Sequence, residues 1–254
     1  MMVGIRERRM IGEAVSMNGS RQALTAEQRR FIGAVNETAA MLSSNRMDRD
    51  EWMVIAGGAV FLYQLDSARR NGTRGADRVP TDLDVVVNNA PEREKHILEL
   101  LRDGMASRER VTYSKGPDDH FGHTLLGAKL GYASVEGLPI DVITDLSQIY
   151  PADHRFAPSL HYEYPPTDVL LPFAKRITHP LLDGPVMLAH PGFVAYYKLM
   201  LSRNTDGKQD GKDLTRLKRL GLLEPSDELR EVIDIMCHSD ADLVDKVEKA
   251  IADL

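Results

Sequence analysis

From Thr81 to Val87 the chain reads Thr-Asp-Leu-Asp-Val-Val-Val, and this short run constrains the fold more than any other. A β-strand alternates its side chains between two faces, so Asp82 and Asp84 share one face while Leu83 points into a core. Aspartate is disfavoured in strands, and two on one face need a partner for their charge. Ile140-Asp141-Val142 repeats the apolar–acid–apolar pattern on a later strand. If the two strands are neighbours, three carboxylates converge. Two like charges 4 Å apart repel by about 4 kcal/mol at an effective dielectric of 20. Bound divalent cations offset that repulsion, and an all-oxygen donor set selects Mg²⁺ or Mn²⁺ over zinc.

Upstream, Trp52 to Ala56 reads as a short buried strand broken by Gly57-Gly58, with Ala59 to Arg69 as the helix that follows. With no side chains in the way, the backbone amides of Gly57 and Gly58 and the helix N-terminus are suited to hold a triphosphate. The parts add up to nucleotidyl transfer. Phosphates are held by backbone and by the segment around Thr81, cations by Asp82, Asp84 and Asp141, and an acceptor hydroxyl attacks the α-phosphorus. The competing reading of the pair Asp82 and Asp84 is structural: they cap a strand end and bind arginines of the polar loop from Arg69 to Arg78.

Elsewhere the periodicity sets out an α/β (α+β) chain: a mixed sheet with flanking helices, followed by a helical domain. Thr25 and Gln28 form a capping box, and Phe31, Ile32, Val35, Ala39 and Leu42 lie along one face of the helix it opens. Pro91 opens an amphipathic helix to about Met105. Strand-like pieces recur at Val111–Tyr113, Thr124–Leu130 and Leu138–Thr144, and Asp145 to Leu182 reads as irregular with short helices. After His190-Pro191 the pattern is helical. One helix carries Phe193, Tyr196, Tyr197, Met200 and Leu201, another runs from Lys212 to a stop at Gly221, and two more follow Pro225 and Asp240. The divisions expected are an N-terminal segment 1–24 without sustained period, an α/β domain over 25–185 and a helical domain over 186–254.

With 254 residues, 43% hydrophobic and 28% charged, the chain is long enough for one large domain or two small ones, and wholesale disorder is excluded. A formal charge of −6 leaves nucleic-acid contact to local patches. The single cysteine, Cys237, rules out an intramolecular disulfide and a cysteine-based metal cluster. The most apolar window, Met53 to Leu62, is far shorter than the roughly 20 residues that span a bilayer. A cytoplasmic protein with no membrane partner is therefore expected.

Strand–Gly57-Gly58–helix, then Asp82-Leu83-Asp84, then Asp141 resembles the polymerase-β-like nucleotidyltransferase superfamily. The resemblance implies that fold, Asp82 and Asp84 as ligands of both metals, and Asp141 as a third ligand that activates the acceptor. Lys198, Arg203 and Lys212-Asp213 on successive helices are similar to the helical domain of the abortive-infection (AbiE-type) toxin nucleotidyltransferases. That likeness implies a lysine and a Lys-Asp pair at the site, with Lys198 on phosphates and Asp213 supporting the site or the acceptor. The implied substrates are an NTP with Mg²⁺ or Mn²⁺. The implied acceptor is tRNA or other RNA, a protein side chain or a small molecule such as an aminoglycoside, and a toxin role with an antitoxin partner follows from the same likeness. Two other readings compete: a DxD glycosyltransferase, which explains neither Gly57-Gly58 nor Asp141, and a non-catalytic nucleotide- or partner-binding module.

Overall fold

Thr25 and Gln28 exchange hydrogen bonds: the Gln28 N–H donates to Thr25 Oγ1 at 3.2 Å, and the Thr25 N–H to Gln28 Oε1 at 3.0 Å. Helix α1 (Ala26–Ser44) begins on that capping box. The computed structural model describes residues 24–44, 51–72, 75–88, 111–114, 129–135, 138–143, 167–201, 204–205 and 208–254; along 111–114, 129–135, 141–143, 204–205 and at 208 the description is of the backbone. The segment 1–23 and the helix expected from Pro91 to Met105 lie outside these residues.

Strand β1 (Trp52–Val54) is buried throughout and runs directly into α2 (Ala56–Asn71). The helix starts three residues before the expected Ala59, so Gly57 and Gly58 stand in its first turn and do not form a separate loop. The physical reason is packing. A Cβ on Gly58 would lie 2.8 Å from Val54 Cγ1, 3.3 Å from Phe31 Cζ and 3.4 Å from Leu83 Cδ1, so only glycine lets α2 settle this close to the sheet and α1. Phe31 and Phe61 meet edge to face at 4.9 Å between ring centroids, joining α1 to α2.

β2 (Leu83–Val87), β3 (Val111–Ser114), β4 (Lys129–Val135) and β5 (Leu138–Ile143) follow. Next come the short α3 (Thr167–Leu170), a 3₁₀ turn (Leu171–Phe173), β6 (Lys175–Ile177) and β7 (Val186–Leu188). These seven strands form one sheet in the order β3-β4-β5-β2-β1-β7-β6. It is mixed: β2 runs parallel to β5 and β1 parallel to β7, while β1–β2, β3–β4, β4–β5 and β6–β7 are antiparallel.

Two differences from the sequence reading stand out. Of the strand expected at Thr124–Leu130, residues 124–128 lie outside the described residues. β4 holds from Lys129 and continues past the expected end to Val135, which pairs with Leu138 of β5. Since Gly131, Ala133 and Ser134 are weak strand formers, the partner imposes that extension. The stretch expected to be irregular contains β6, which reaches the sheet only through β7. Because β7 pairs with β1, the sheet itself extends past residue 185.

The C-terminal part is helical, with α4 (Pro191–Leu201), α5 (Asp210–Arg219), α6 (Asp227–Met236) and α7 (Ala241–Ala252). A two-stranded ribbon, β8 (Asn204–Thr205) with β9 (Lys208–Gln209), joins α4 to α5. Gly221, at φ 70°, ends α5: its N–H donates to Lys218 O and that of Leu222 to Leu217 O, a Schellman close. Ser226 caps α6 and Asp240 caps α7, each accepting from the N–H three residues on. α4 packs on α5, α6 and α7, and both α4 and α5 rest on α2, which seats the helical part against the sheet layer. Among the described residues no helix is long and apolar enough to cross a membrane.

At the entry to α4, buried His190 takes the N-cap role, its Nδ1 accepting the Gly192 N–H at 3.0 Å. Burial, reinforced by Lys175 and opposed in part by Glu228, depresses the His190 pKa from 6.5 to about 4. The folded state therefore binds fewer protons than the unfolded state between these values, so this stability is complete above about pH 6.5 and is lost as pH falls through 4. We expect the thermal midpoint to drop over that window and His190→Asn, which keeps an N-cap acceptor, to flatten the drop. Parallel pH profiles for the two proteins would refute the assignment.

Candidate functional site

The backbone register places the acids. In the parallel pair β2–β5, Asp84 is the Cα partner of Asp141, with Leu83 opposite Ile140 and Val85 opposite Val142. Leu83 faces the α1–α2 layer, where it approaches Gly58, so Asp84 next to it projects to the other face of the sheet. Asp82 stands one residue before β2 rather than inside it, and both Asp82 and Asp84 are half-buried. The run thus enters the sheet at Leu83, which leaves Asp82 at the strand mouth.

The N-terminus of α2 is tied to the same point. Ile55, its N-cap residue, donates its N–H to Asp84 O at 3.0 Å. Ala56 takes a left-handed φ of 51° to turn the chain from β1 into the helix, a conformation that costs an alanine about 1 kcal/mol. Gly57 is half-buried, and a Cβ there would make ordinary contact with Pro80 at 3.6 Å. Thr81 is exposed beside them. The first turn of α2, Asp82, Asp84 and the Asp141 position therefore share one corner of the molecule. Carboxylate oxygens on adjoining strands are a donor set that fits a hard divalent cation. Among the described residues, no group of three or more such side chains is arranged to hold a metal ion, and the side chain of Asp141 lies outside them.

The residues expected on the helical part form a different constellation. Lys198 is 3% exposed, and its Nζ lies 2.9 Å from both Asp210 Oδ1 and Asp213 Oδ2. Asp210 and Asp213 are themselves 0% and 1% exposed. Asp213 further accepts from Arg216 Nη1 at 3.1 Å and from Arg78 Nη1, which is 2.7 and 2.8 Å from its two oxygens. Arg216 Nε reaches Asp77 Oδ1 at 2.7 Å. Lys198, Arg78 and Arg216 thus face Asp77, Asp210 and Asp213, three cations against three carboxylates. Balance matters here, because a buried charge left over costs several kcal/mol. Lys212 is exposed and takes no part in these contacts, and Arg203 lies outside the described residues.

The sequence reading did not pick out Asp210 as a partner of Lys198, nor Asp77, Arg78 and Arg216 as members of the cluster around it. One signal was present: Asp210, Asp213, Leu214 and Leu217 follow the i, i+3, i+4, i+7 spacing of a core face, so two acids occupy positions that ordinarily hold apolar side chains. Three arginines of the stretch read as a polar loop also find carboxylates, while Arg74 lies outside the described residues. Arg69 and Arg70 pair with Asp66 at 3.5 and 2.6 Å, and Arg78 pairs with Asp213.

No protein-family model matches the chain, and no curated protein matches it. Solved structures do. The chain is similar to an antigenic nucleotidyltransferase-like protein from Paracoccidioides brasiliensis at 18% identity and a TM-score of 0.44, over 87% of this chain and 93% of that one. It is similar to ANT(2'')-Ia, solved with adenylyl-2''-tobramycin, at 10% identity and a TM-score of 0.37, over 87% and 97% of the two chains. A third is the Megavirus polyadenylate synthase, at 9% identity and a TM-score of 0.35, over 93% of this chain and 38% of that one.

Proposed function

We propose that the chain is a divalent-metal-dependent nucleotidyltransferase that moves an NMP from an NTP to an acceptor hydroxyl. The observation that carries this reading is the Asp84–Asp141 register pair, with Asp82 two residues before Asp84 and the α2 N-terminus hydrogen-bonded to Asp84 through Ile55. Asp82, Asp84 and Asp141 would hold Mg²⁺ or Mn²⁺, which when bound neutralises charge on the triphosphate and its leaving group. The first-turn amides of α2, at Gly57 and Gly58, point the positive end of the helix at an anion. Thr81, at the strand mouth, stands where it would flank the nucleotide.

In the transfer, the acceptor oxygen forms a bond to the α-phosphorus as the bond to the β-phosphate oxygen breaks. The acceptor proton passes to Asp141 and pyrophosphate departs. In this reading Lys198 and Asp213 shape the site through the buried cluster, while Lys212 and Arg203 remain for the nucleotide or acceptor. RNA, a protein side chain and a small hydroxylated molecule all fit as acceptor, and a toxin held by an antitoxin is one setting in which the RNA acceptor would arise.

The test is to incubate the protein with Mg²⁺, each α-³²P-labelled NTP in turn, and total cellular RNA and protein. Label is expected on one acceptor class, abolished by EDTA and restored by excess Mg²⁺. With neither label transfer nor pyrophosphate release in any mixture, including one of small hydroxylated acceptors, the reading falls to a binding module.

A further inference from the structure

The segment Ala76–Arg78, ahead of Asp82, is fastened from three helices. Gln28 of α1 donates its Nε2–H to Ala76 O at 2.8 Å, and Gln64 of α2 donates to Asp77 Oδ1 at 2.9 Å. From α5, Arg216 grips Asp77 and Asp213 grips Arg78. Asp213 and Arg216 are one helical turn apart and also touch each other at 3.1 Å. Two adjacent loop residues of opposite charge therefore meet two helix residues of opposite charge. Only one register satisfies both pairs, since a one-residue slip would set like charges together. Although burial pushes its pKa up, the hydrogen bonds from Gln64 and Arg216 keep Asp77 below the usual carboxylate range.

From this staple to Asp82 the chain has four residues, a reach of at most about 14 Å. Pro80 in the middle has a fixed φ, is buried, and lies against Gly57 in the first turn of α2. The position of Asp82 is thus set from one side by β2 and from the other by the staple.

We infer that Arg78, held by Asp213 and seconded by the Asp77–Arg216 pair, is a positioning residue that fixes Asp82 for divalent-cation binding, so that the helical part controls the geometry of the acids on the sheet. This rests on the metal-site reading proposed above. Groups that orient a metal ligand from behind typically change affinity 10- to 100-fold when removed.

The probe is Mn²⁺ alone, titrated into the full chain and followed by electron paramagnetic resonance of the free ion. Alongside it, amide hydrogen exchange at residues 79–84 is measured without metal. Arg78→Met is expected to weaken Mn²⁺ binding about tenfold or more and to speed exchange across 79–84. The fold should persist, because Asp213 keeps Lys198 and Arg216. Arg78→Lys should recover part of both losses. If Arg78→Met does not fold, Asp77→Asn carries the same test from the exposed side of the staple. Equal Mn²⁺ affinity in wild type and the folded variant overturns the positioning role and leaves the metal site standing. Equal, weak affinity in wild type and Asp82→Ala removes the metal site, and this proposal with it.

Discussion

Lys198→Met is expected to destabilise the protein by about 3–5 kcal/mol, a fall in thermal midpoint of about 10 °C. Methionine fills nearly the same volume, so packing is kept and the charge alone is lost. The cluster then has one positive charge fewer, and Asp210, 0% exposed, loses the ammonium 2.9 Å away. Asp213 is less affected because Arg78 and Arg216 remain on it. The expectation is therefore asymmetric. Asp210→Asn in the Lys198→Met background should restore much of the lost stability, whereas Asp213→Asn should restore less. Chemical denaturation of the four proteins gives the coupling energies directly. A loss below about 1 kcal/mol for Lys198→Met would mean that the buried pair contributes little, as many ion pairs do.

Asp84→Asn is expected to reduce nucleotidyl transfer by about 10³-fold, with the thermal midpoint almost unchanged. The amide keeps the shape of the side chain, and the Ile55 N–H bonds to the Asp84 carbonyl, which the substitution leaves in place. What is lost is one anionic donor beside Asp141 in the register of β2 and β5. If the metal held there lowers the barrier by about 4 kcal/mol, its loss gives that factor. The readout is the initial rate of label transfer at saturating Mg²⁺, compared with heat denaturation of the same preparation. A variant that retains a tenth or more of the wild-type rate would remove Asp84 from the chemistry.

Both expectations bear on how far the residues speak for themselves. The capping box at Thr25, the apolar face of α1, the strand through Leu83–Val87 and the helix stop at Gly221 were readable because each depends on neighbours a few residues away. Asp84 and Asp141 were readable as strand-borne carboxylates flanked by apolar residues, whereas Asp82, expected on the same strand, stands one residue before it. The placement of Asp84 beside Asp141 required the parallel pairing of β2 with β5, which no local pattern encodes. The extension of β4 past Leu130 and the whole of β6 went unread, because short strands of ordinary propensity take their identity from partners distant in sequence.

The buried cluster marks the same boundary at the candidate site. Lys198, in an apolar helix, and two acids on the core face of α5 announce that charges are buried. They do not reveal which charges meet, nor that the partners include Asp77 and Arg78 from 135 residues or more earlier in the chain. The sequence by itself determined the local elements and which residue types the candidate site offers, since periodicity and capping act over short range and donor chemistry belongs to the side chain. Only the tertiary structure decided which charges are neighbours, because Coulomb and desolvation energies depend on distance in space and burial, and chain separation sets neither.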